Sequence, residues 1–342
     1  MSDLSNDTSI NVAEDLWDFL MLPRIQFSQK QFSYLAFWSN PHKHKVGTEE
    51  KYKNYYIPKK TWWYRIIREP CDILKTLQKE ILQKILKPYT IDLFKPNCTG
   101  FREWFSTVDN ANYHLNKKML IKLDIANFFP SISQARIYGL FRKKFMFNHE
   151  ISSYLSGLCS YKNELPQWAP TSPIIANIIS SRIDDRIILL IQALNCKNSL
   201  LNLSYSRYAD DLTFSYDDLT LNKITLIYFI QSIVEDEWFS MNLWKINIIP
   251  SSQKQKVTWI VVNGIIPSIG RKTYRYFRVI THSIRSLGWD VALTKWNQSN
   301  SKQIENVDKF KEVIKGYLNY FLMVNRNSIY LHQMKNLFTD QI

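Results

Sequence analysis

Three carboxylates are the residues of this chain best suited to chemistry. Asp210 and Asp211 are adjacent in Tyr208-Ala209-Asp210-Asp211, and Asp124 closes the apolar run Met119-Leu120-Ile121-Lys122-Leu123-Asp124-Ile125. Neighbouring like charges repel and desolvate badly, so an ordinary turn gains little from paired acids. Alone, Asp210-Asp211 reads as a solvated turn. The third acid changes that reading. An Asp ending an apolar strand, followed at once by Asn127-Phe128-Phe129-Pro130, is poorly explained by packing. Three acids around one point suit a pair of divalent cations and in-line phosphoryl transfer.

The acids need elements that bring them together. Leu203, Tyr205 and Arg207 alternate with Ser204, Ser206 and Tyr208, and Leu212 and Phe214 alternate with Thr213 and Ser215. Period-two patterns on both sides of a polar break predict a β-hairpin with the acid pair at its tip. If 119–125 is the neighbouring strand, Asp124 approaches that tip. Ser133 is expected to cap a helix carrying Ile137, Leu140 and Phe141, and Ser172-Pro173 to start another as N-cap and N1. Leu74, Leu77, Ile81, Ile85 and Leu86 share a helical face. A second hairpin is expected over 55–67, where Lys60 and Arg65 could face an incoming polyphosphate, Arg65 bidentately. Val257–Val262 and Ile265–Pro267 are expected to form a third around Asn263-Gly264, a pair that suits a type I′ turn.

Towards the C-terminus, Arg271, Arg275, Arg278 and Arg285 fall at offsets of 4, 7 and 14, with no acid from Arg271 to Leu287. Phe277, Ile280, Ile284 and Leu287 repeat on another face. One apolar and one arginine stripe on a single helix fit a rod docked on a core and laid along a phosphate backbone. Two more amphipathic helices follow, one through Phe310, Ile314, Tyr317 and Phe321, the other through Leu331, Met334 and Phe338.

Composition agrees with a basic globular protein. The 342 residues are 45% hydrophobic and 22% charged, with a net charge of +14 and a pI near 9.4. That balance implies a polyanionic partner, although it does not separate nucleic acid from anionic lipid. No run of 18 apolar residues occurs and the first residues lack a signal peptide's pattern, so a cytoplasmic protein with no membrane partner is expected. Cys71, Cys98, Cys159 and Cys196 are scattered without CxxC spacing, which argues against zinc and against a disulfide framework. Glycine is scarce at 8 residues, while tryptophan reaches 11.

The motifs resemble those of reverse transcriptases. Tyr208-Ala209-Asp210-Asp211 looks like their YxDD box, Asp124 with Phe128-Phe129 like their first palm motif, and Leu165-Pro166-Gln167 with Ala169-Pro170-Thr171-Ser172-Pro173 like the LPQGxPTSP segment between them. Two more matches resemble the retron branch: Asn110-Ala111-Asn112-Tyr113-His114 looks like its NAxxH motif and Val257-Thr258 like the start of its VTG motif. The likeness runs from about Tyr55 to Gly264.

The resemblance implies an α+β right-hand polymerase with an antiparallel palm sheet. Its expected parts are an N-terminal helical extension (1–50), fingers and palm (51–265) and a helical, RNA-binding thumb (266–342). It implies RNA-directed DNA synthesis with two Mg²⁺ held by Asp124, Asp210, Asp211 and the backbone carbonyl of Ile125. It further implies nucleotide contacts from Lys60, Arg65, Phe129, Gln167 and Lys245. Phe129 would pack under the sugar and clash with a 2′-hydroxyl, and Lys245 would lie near the leaving pyrophosphate. Asn110, Ala111, His114 and the four arginines would meet RNA; for His114, organising a loop is the alternative. The partners implied are deoxynucleoside triphosphates, a cognate structured non-coding RNA primed from a 2′-hydroxyl, its branched RNA-linked DNA product, and a separate effector protein in antiphage defence. Two rivals remain: another bacterial reverse transcriptase of group II intron or defence type, or a catalytically impaired RNA-binding scaffold. The second arises because Trp62, Trp63, Trp104, Trp168, Trp238 and Trp259 fall where the family pattern has glycine. The expectation is that the source cell decodes those codons as glycine.

Overall fold

The computed structural model describes residues 50–58, 64–90, 93–301 and 303–339, with Leu16, Leu20, Leu35, Ala36, Lys45, Val46 and Glu49. Lys60, Trp62, Trp63 and nearly all of the 1–50 extension lie outside the described residues. Leu16 and Leu20, in the expected N-terminal helical extension, are helical and buried.

The first hairpin pairs β1 (Tyr52–Pro58) with β2 (Tyr64–Pro70), placing Ile57 opposite Arg65. Helix α1 (Asp72–Ile81) follows and runs on through Leu82–Leu86 and Lys87–Thr90, burying Leu74, Leu77, Ile81, Ile85 and Leu86. Short α2 (Thr107–Asn112) starts at a capping box. Ser106 accepts from the Val108 and Asp109 amides, and Asp109 accepts from the Ser106 amide. That reciprocal bonding satisfies donors that a helix start otherwise leaves unpaired.

Strand β3 (Met119–Ala126) is central to the main sheet. It pairs antiparallel with β5 (Asp211–Tyr216) on one side, and β5 pairs antiparallel with β4 (Ser204–Tyr208). Along its other side run β6 (Ser240–Met241) and β7 (Asn247–Pro250). Ile121, Leu123 and Ile125 enter the main core, together with Leu212, Phe214 and Tyr216. Alternation then turns Lys122 and Asp124 to the opposite face. Leu120, on that face, joins a small core with Ala111, Val257, Ile260, Val262 and Val324.

The core face is covered by helices α3 (Gln134–Gly139), α4 (His149–Cys159), α5 (Ser172–Lys197) and α6 (Lys223–Asp236). Ser133 caps α3 by accepting from the Arg136 amide, as expected. Helix α5 begins one residue earlier than expected: Thr171 is the N-cap and Ser172 the first helical residue.

The expected hairpin around Asn263-Gly264 forms as an antiparallel bridge between Val261 and Ser268 across the loop 262–267, without a two-residue turn at Asn263-Gly264. Strands β8 (Lys256–Val257) and β9 (Ile260–Val261) pair across a two-residue turn, Thr258-Trp259. Asn263 is drawn into a loop clamp instead, its side chain accepting from the Gln255 amide and donating to the Ser251 and Gln253 carbonyls. Beyond Gly270, α7 (Arg271–Leu287), α8 (Trp289–Ser299), α9 (Val307–Val324) and α10 (Ile329–Thr339) own a separate core that includes Phe277, Ile280, Ile284, Phe310, Ile314, Phe321, Leu331 and Phe338. Leu287, expected on the apolar stripe, is 55% exposed because α7 ends there at Gly288. Gly288 has φ of 86°, which its missing Cβ permits.

Candidate active site

The backbone ladder assembles the three acids. Asp124 stands directly opposite Asp211 in the β3–β5 register, and Leu123 opposite Leu212 just before it. Asp210 lies in the turn between β4 and β5, and its carbonyl accepts from the Ile125 amide at 3.0 Å. The adjoining Ala209 has φ of 58°, so the chain reverses tightly enough to keep both acids at the strand end.

Electrostatics fit a cation-binding role. Burial pushes the Asp210 carboxyl up to about 6, and the charges of Asp211 and Asp124 add to that rise. Burial also raises Asp211, with Asp124 pushing the same way against Lys122 and Lys245. Carboxylates held in this way lack compensating charge. Lys245 supplies some of it, donating to both oxygens of Asp124 at 2.9 Å. Even so, among the described residues no three His, Cys, Asp or Glu side chains form a ready ligand set for a metal.

A buried network supports the acid turn, and sequence reasoning missed it. Arg207 is fully buried on β4 and binds Asp184 of α5 through Nε to Oδ1 at 2.8 Å and Nη2 to Oδ2 at 2.6 Å. Its Nη1 donates to the Ala209 carbonyl at 3.2 Å and to Asn177 Oδ1 at 3.0 Å. Burial opposes its charge, but Asp184 overcomes that and holds the guanidinium above its ordinary value. Asn177 in turn donates to the Gly100 carbonyl at 2.7 Å. A Cβ on Gly100 would meet the Ala209 nitrogen at 2.6 Å, so a bare glycine lets this loop back the turn. The signals in the sequence are an arginine that alternates with Leu203 and Tyr205 and an aspartate among the isoleucines of α5; neither names its partner.

The other expected residues divide. Phe129 is half-buried, with Phe101 6.0 Å away and Phe101 itself 6.4 Å from Tyr208, forming an aromatic border beside the acids. The Gln167 carbonyl accepts from the Arg68 amide at 3.2 Å, and Arg68 also binds Glu164 at 2.6 Å, which ties the first hairpin to this turn. Arg65 is exposed on β2, and no hydrogen bond or ion pair joins it to the acids.

Asn110, Ala111 and His114, expected to meet RNA, are all buried. Asn110 accepts from Thr99 Oγ1 at 3.0 Å, and Ala111 fills the small core. His114 is packed between Ser215 Oγ at 2.7 Å and Ser206 Oγ at 2.8 Å, bracing the back of the hairpin that carries the acids. Burial, with the Lys117 charge beside it, pushes its imidazole down to about 3. His114 is therefore a neutral structural residue. Arg271, Arg275, Arg278 and Arg285 are all exposed on α7.

An antiparallel sheet with one acid on its central strand and two at the neighbouring turn, flanked by a hairpin and a helical bundle, is the palm of a right-hand polymerase. The family model for Reverse transcriptase (RNA-dependent DNA polymerase) matches residues 57–291. The Retron Ec86 reverse transcriptase of Escherichia coli is 32% identical over 264 residues, 77% of this chain and 73% of that one. The Retron Ec83 reverse transcriptase of Escherichia coli is 32% identical over 242 residues, 66% of this chain and 73% of that one. A telomerase from Candida albicans aligns at 12% identity with a TM-score of 0.46, over 83% of this chain and 60% of that one, and adds nothing to the assignment. This chain belongs to the reverse transcriptase family, in its retron type, and is an RNA-directed DNA polymerase. Among the described residues no helix is long and apolar enough to cross a membrane.

Proposed function

We propose that this reverse transcriptase copies a cognate structured non-coding RNA from a 2′-hydroxyl of that RNA, giving branched RNA-linked single-stranded DNA in antiphage defence with a separate effector protein. The likeness to retron enzymes supports the RNA and its priming, and the register of Asp124 against Asp211 carries the catalytic reading.

Asp124, Asp210 and Asp211, with the Ile125 carbonyl, would hold two Mg²⁺. Ions bound there would activate the primer hydroxyl and neutralise the triphosphate and departing pyrophosphate. The half-buried, raised carboxyls of Asp210 and Asp211 fit that task, since a cation offsets what burial imposes. The remaining work falls to the chain's own residues. Phe129 borders the sugar and excludes a 2′-hydroxyl sterically. Gln167 lies along the nascent pair, and Arg65 and Lys60 meet the triphosphate. Lys245, once detached from Asp124, is free to turn its ammonium toward a phosphate. Arg271, Arg275, Arg278 and Arg285 follow the RNA backbone from a thumb formed by the C-terminal helices.

Primer extension with Mg²⁺ and deoxynucleotides tests the catalytic part: Asp210→Ala plus Asp211→Ala should reduce incorporation to background. Equal incorporation by variant and wild type would refute it. Sequencing the nucleic acid that copurifies from the native locus tests the rest. A single structured RNA joined to DNA through a 2′ branch is expected; linear DNA from unrelated templates would favour another class of reverse transcriptase.

A further inference from the structure

Four tryptophans occupy backbone that side chains avoid. Trp104, Trp168, Trp238 and Trp259 have φ of 70°, 79°, 61° and 75°. In that region Cβ crowds the backbone, and a bulky residue there is an outlier. Two of the four sit in motifs with a known residue demand. Trp259 is the second residue of the two-residue turn between β8 and β9, and the preceding Thr258 also has positive φ, at 43°. That is a type I′ turn, whose second position belongs to glycine.

Trp238 follows the C-cap of α6. Its amide donates to the Glu235 carbonyl at 2.9 Å, and the next amide, of Phe239, donates to the Val234 carbonyl at 3.1 Å. Those two bonds make a Schellman motif with Trp238 at C′, the position where helices end on glycine. Trp104 and Trp168 lie in turns. None of the four rings is anchored: their exposures are 96%, 66%, 82% and 83% in chain order.

Trp289 and Trp296 behave differently, whereas Trp244 is exposed without a positive φ. Trp296 is buried with rings of Tyr276, Phe310 and Tyr317 within 5.8 Å, and Trp289 packs 5.4 Å from Phe338; both are helical. A real tryptophan contributes a large apolar surface to a core. The four at positive φ contribute none and take the conformation that glycine supplies without strain. Only 8 glycines are written in 342 residues, and Gly288 is the sole one at positive φ among those described.

We infer that the working protein carries glycine at 104, 168, 238 and 259, inserted by a source cell that decodes as glycine the codon written here as tryptophan. This does not depend on the priming or defence roles. It does bear on the catalytic cleft, because glycine at 168 frees the space beside Gln167.

Peptide mass spectrometry of the protein isolated from its source cell tests this. Peptides spanning the four positions should each be lighter by the difference between tryptophan and glycine, while 289 and 296 should remain tryptophan. Tryptophan at any of the four would overturn the inference. A recombinant chain with Trp104→Gly, Trp168→Gly, Trp238→Gly and Trp259→Gly provides a second measure. It should melt at higher temperature than the chain as written, and Trp238→Gly alone should also raise the melting temperature. An equal or lower value for both would defeat the conformational argument.

Discussion

The ammonium of Lys245 lies 2.9 Å from both carboxylate oxygens of Asp124, so the acid on the central strand is occupied by a cation of the chain itself. An incoming metal ion must displace that ammonium. Lys245→Met should therefore strengthen binding of Mn²⁺ or terbium to the nucleic-acid-free protein while slowing DNA synthesis. The side chain of Lys245 is 59% exposed. That of Asp124 is 14% exposed, so the pair is partly desolvated, and removing it should raise affinity by at least the one-and-a-half- to fivefold of an exposed pair worth about 0.2–1 kcal/mol. Calorimetric titration checks it; weaker metal binding would show that Lys245 assists the site rather than competing for it.

Metal affinity should also depend on acidity. With Asp210 raised to about 6, its proton competes with a cation as pH falls through that value. The metal-free fold responds in the opposite direction. A carboxyl raised above its unfolded value destabilises the fold at neutral pH and is relieved as pH falls through about 6. Metal titrations at pH 8, 7, 6 and 5.5 should show affinity roughly constant above 7 and falling below 6. Asp210→Asn should remove most of that dependence.

Arg207 and Asp184 form a pair with side chains 0% and 2% exposed. Arg207→Met leaves a buried carboxylate alone and should cost about 3–5 kcal/mol. Adding Asp184→Leu should restore much of the stability measured by urea unfolding. It should not restore DNA synthesis, because the Ala209 carbonyl still lacks its guanidinium donor. Recovery of both would mean that the turn does not need Arg207.

His114 gives the fold an acid-sensitive element. Its folded value of about 3 lies below its ordinary 6.5, so the imidazole stays neutral in the fold while the unfolded chain takes up a proton. Its stability contribution is present above about 6.5 and is lost as pH falls toward 3, approaching about 1.4 kcal/mol per pH unit. His114→Gln should be less stable at pH 7.5 and should lose stability less steeply between pH 6.5 and 4.5. Parallel slopes would place the acid sensitivity elsewhere.

Arg275→Glu with Arg278→Glu should weaken RNA binding at moderate salt. The slope of log affinity against log salt should become shallower by about two, one for each phosphate that is no longer neutralised. Unchanged affinity would remove α7 from the RNA-binding surface.

Local pattern determined much of this protein. Alternation around Tyr208-Ala209-Asp210-Asp211 specified the hairpin, the apolar run to Asp124 specified its neighbouring strand, and the spacing of Phe277, Ile280 and Ile284 specified the docked face of α7. These features are legible because strand and helix periodicities are set by neighbours a few residues apart. Tertiary structure alone decided the long-range matters. It buried Asn110, Ala111 and His114, which a motif treats as recognition residues, because burial depends on what packs above them. It paired Arg207 with Asp184, and it set Lys245 on Asp124 across 121 residues of chain. It also added a tight turn at Thr258-Trp259 and left Val261 and Ser268 bonded across the wider loop that holds Asn263-Gly264, because Ser251, Gln253 and Gln255 hold the Asn263 side chain outside a two-residue turn.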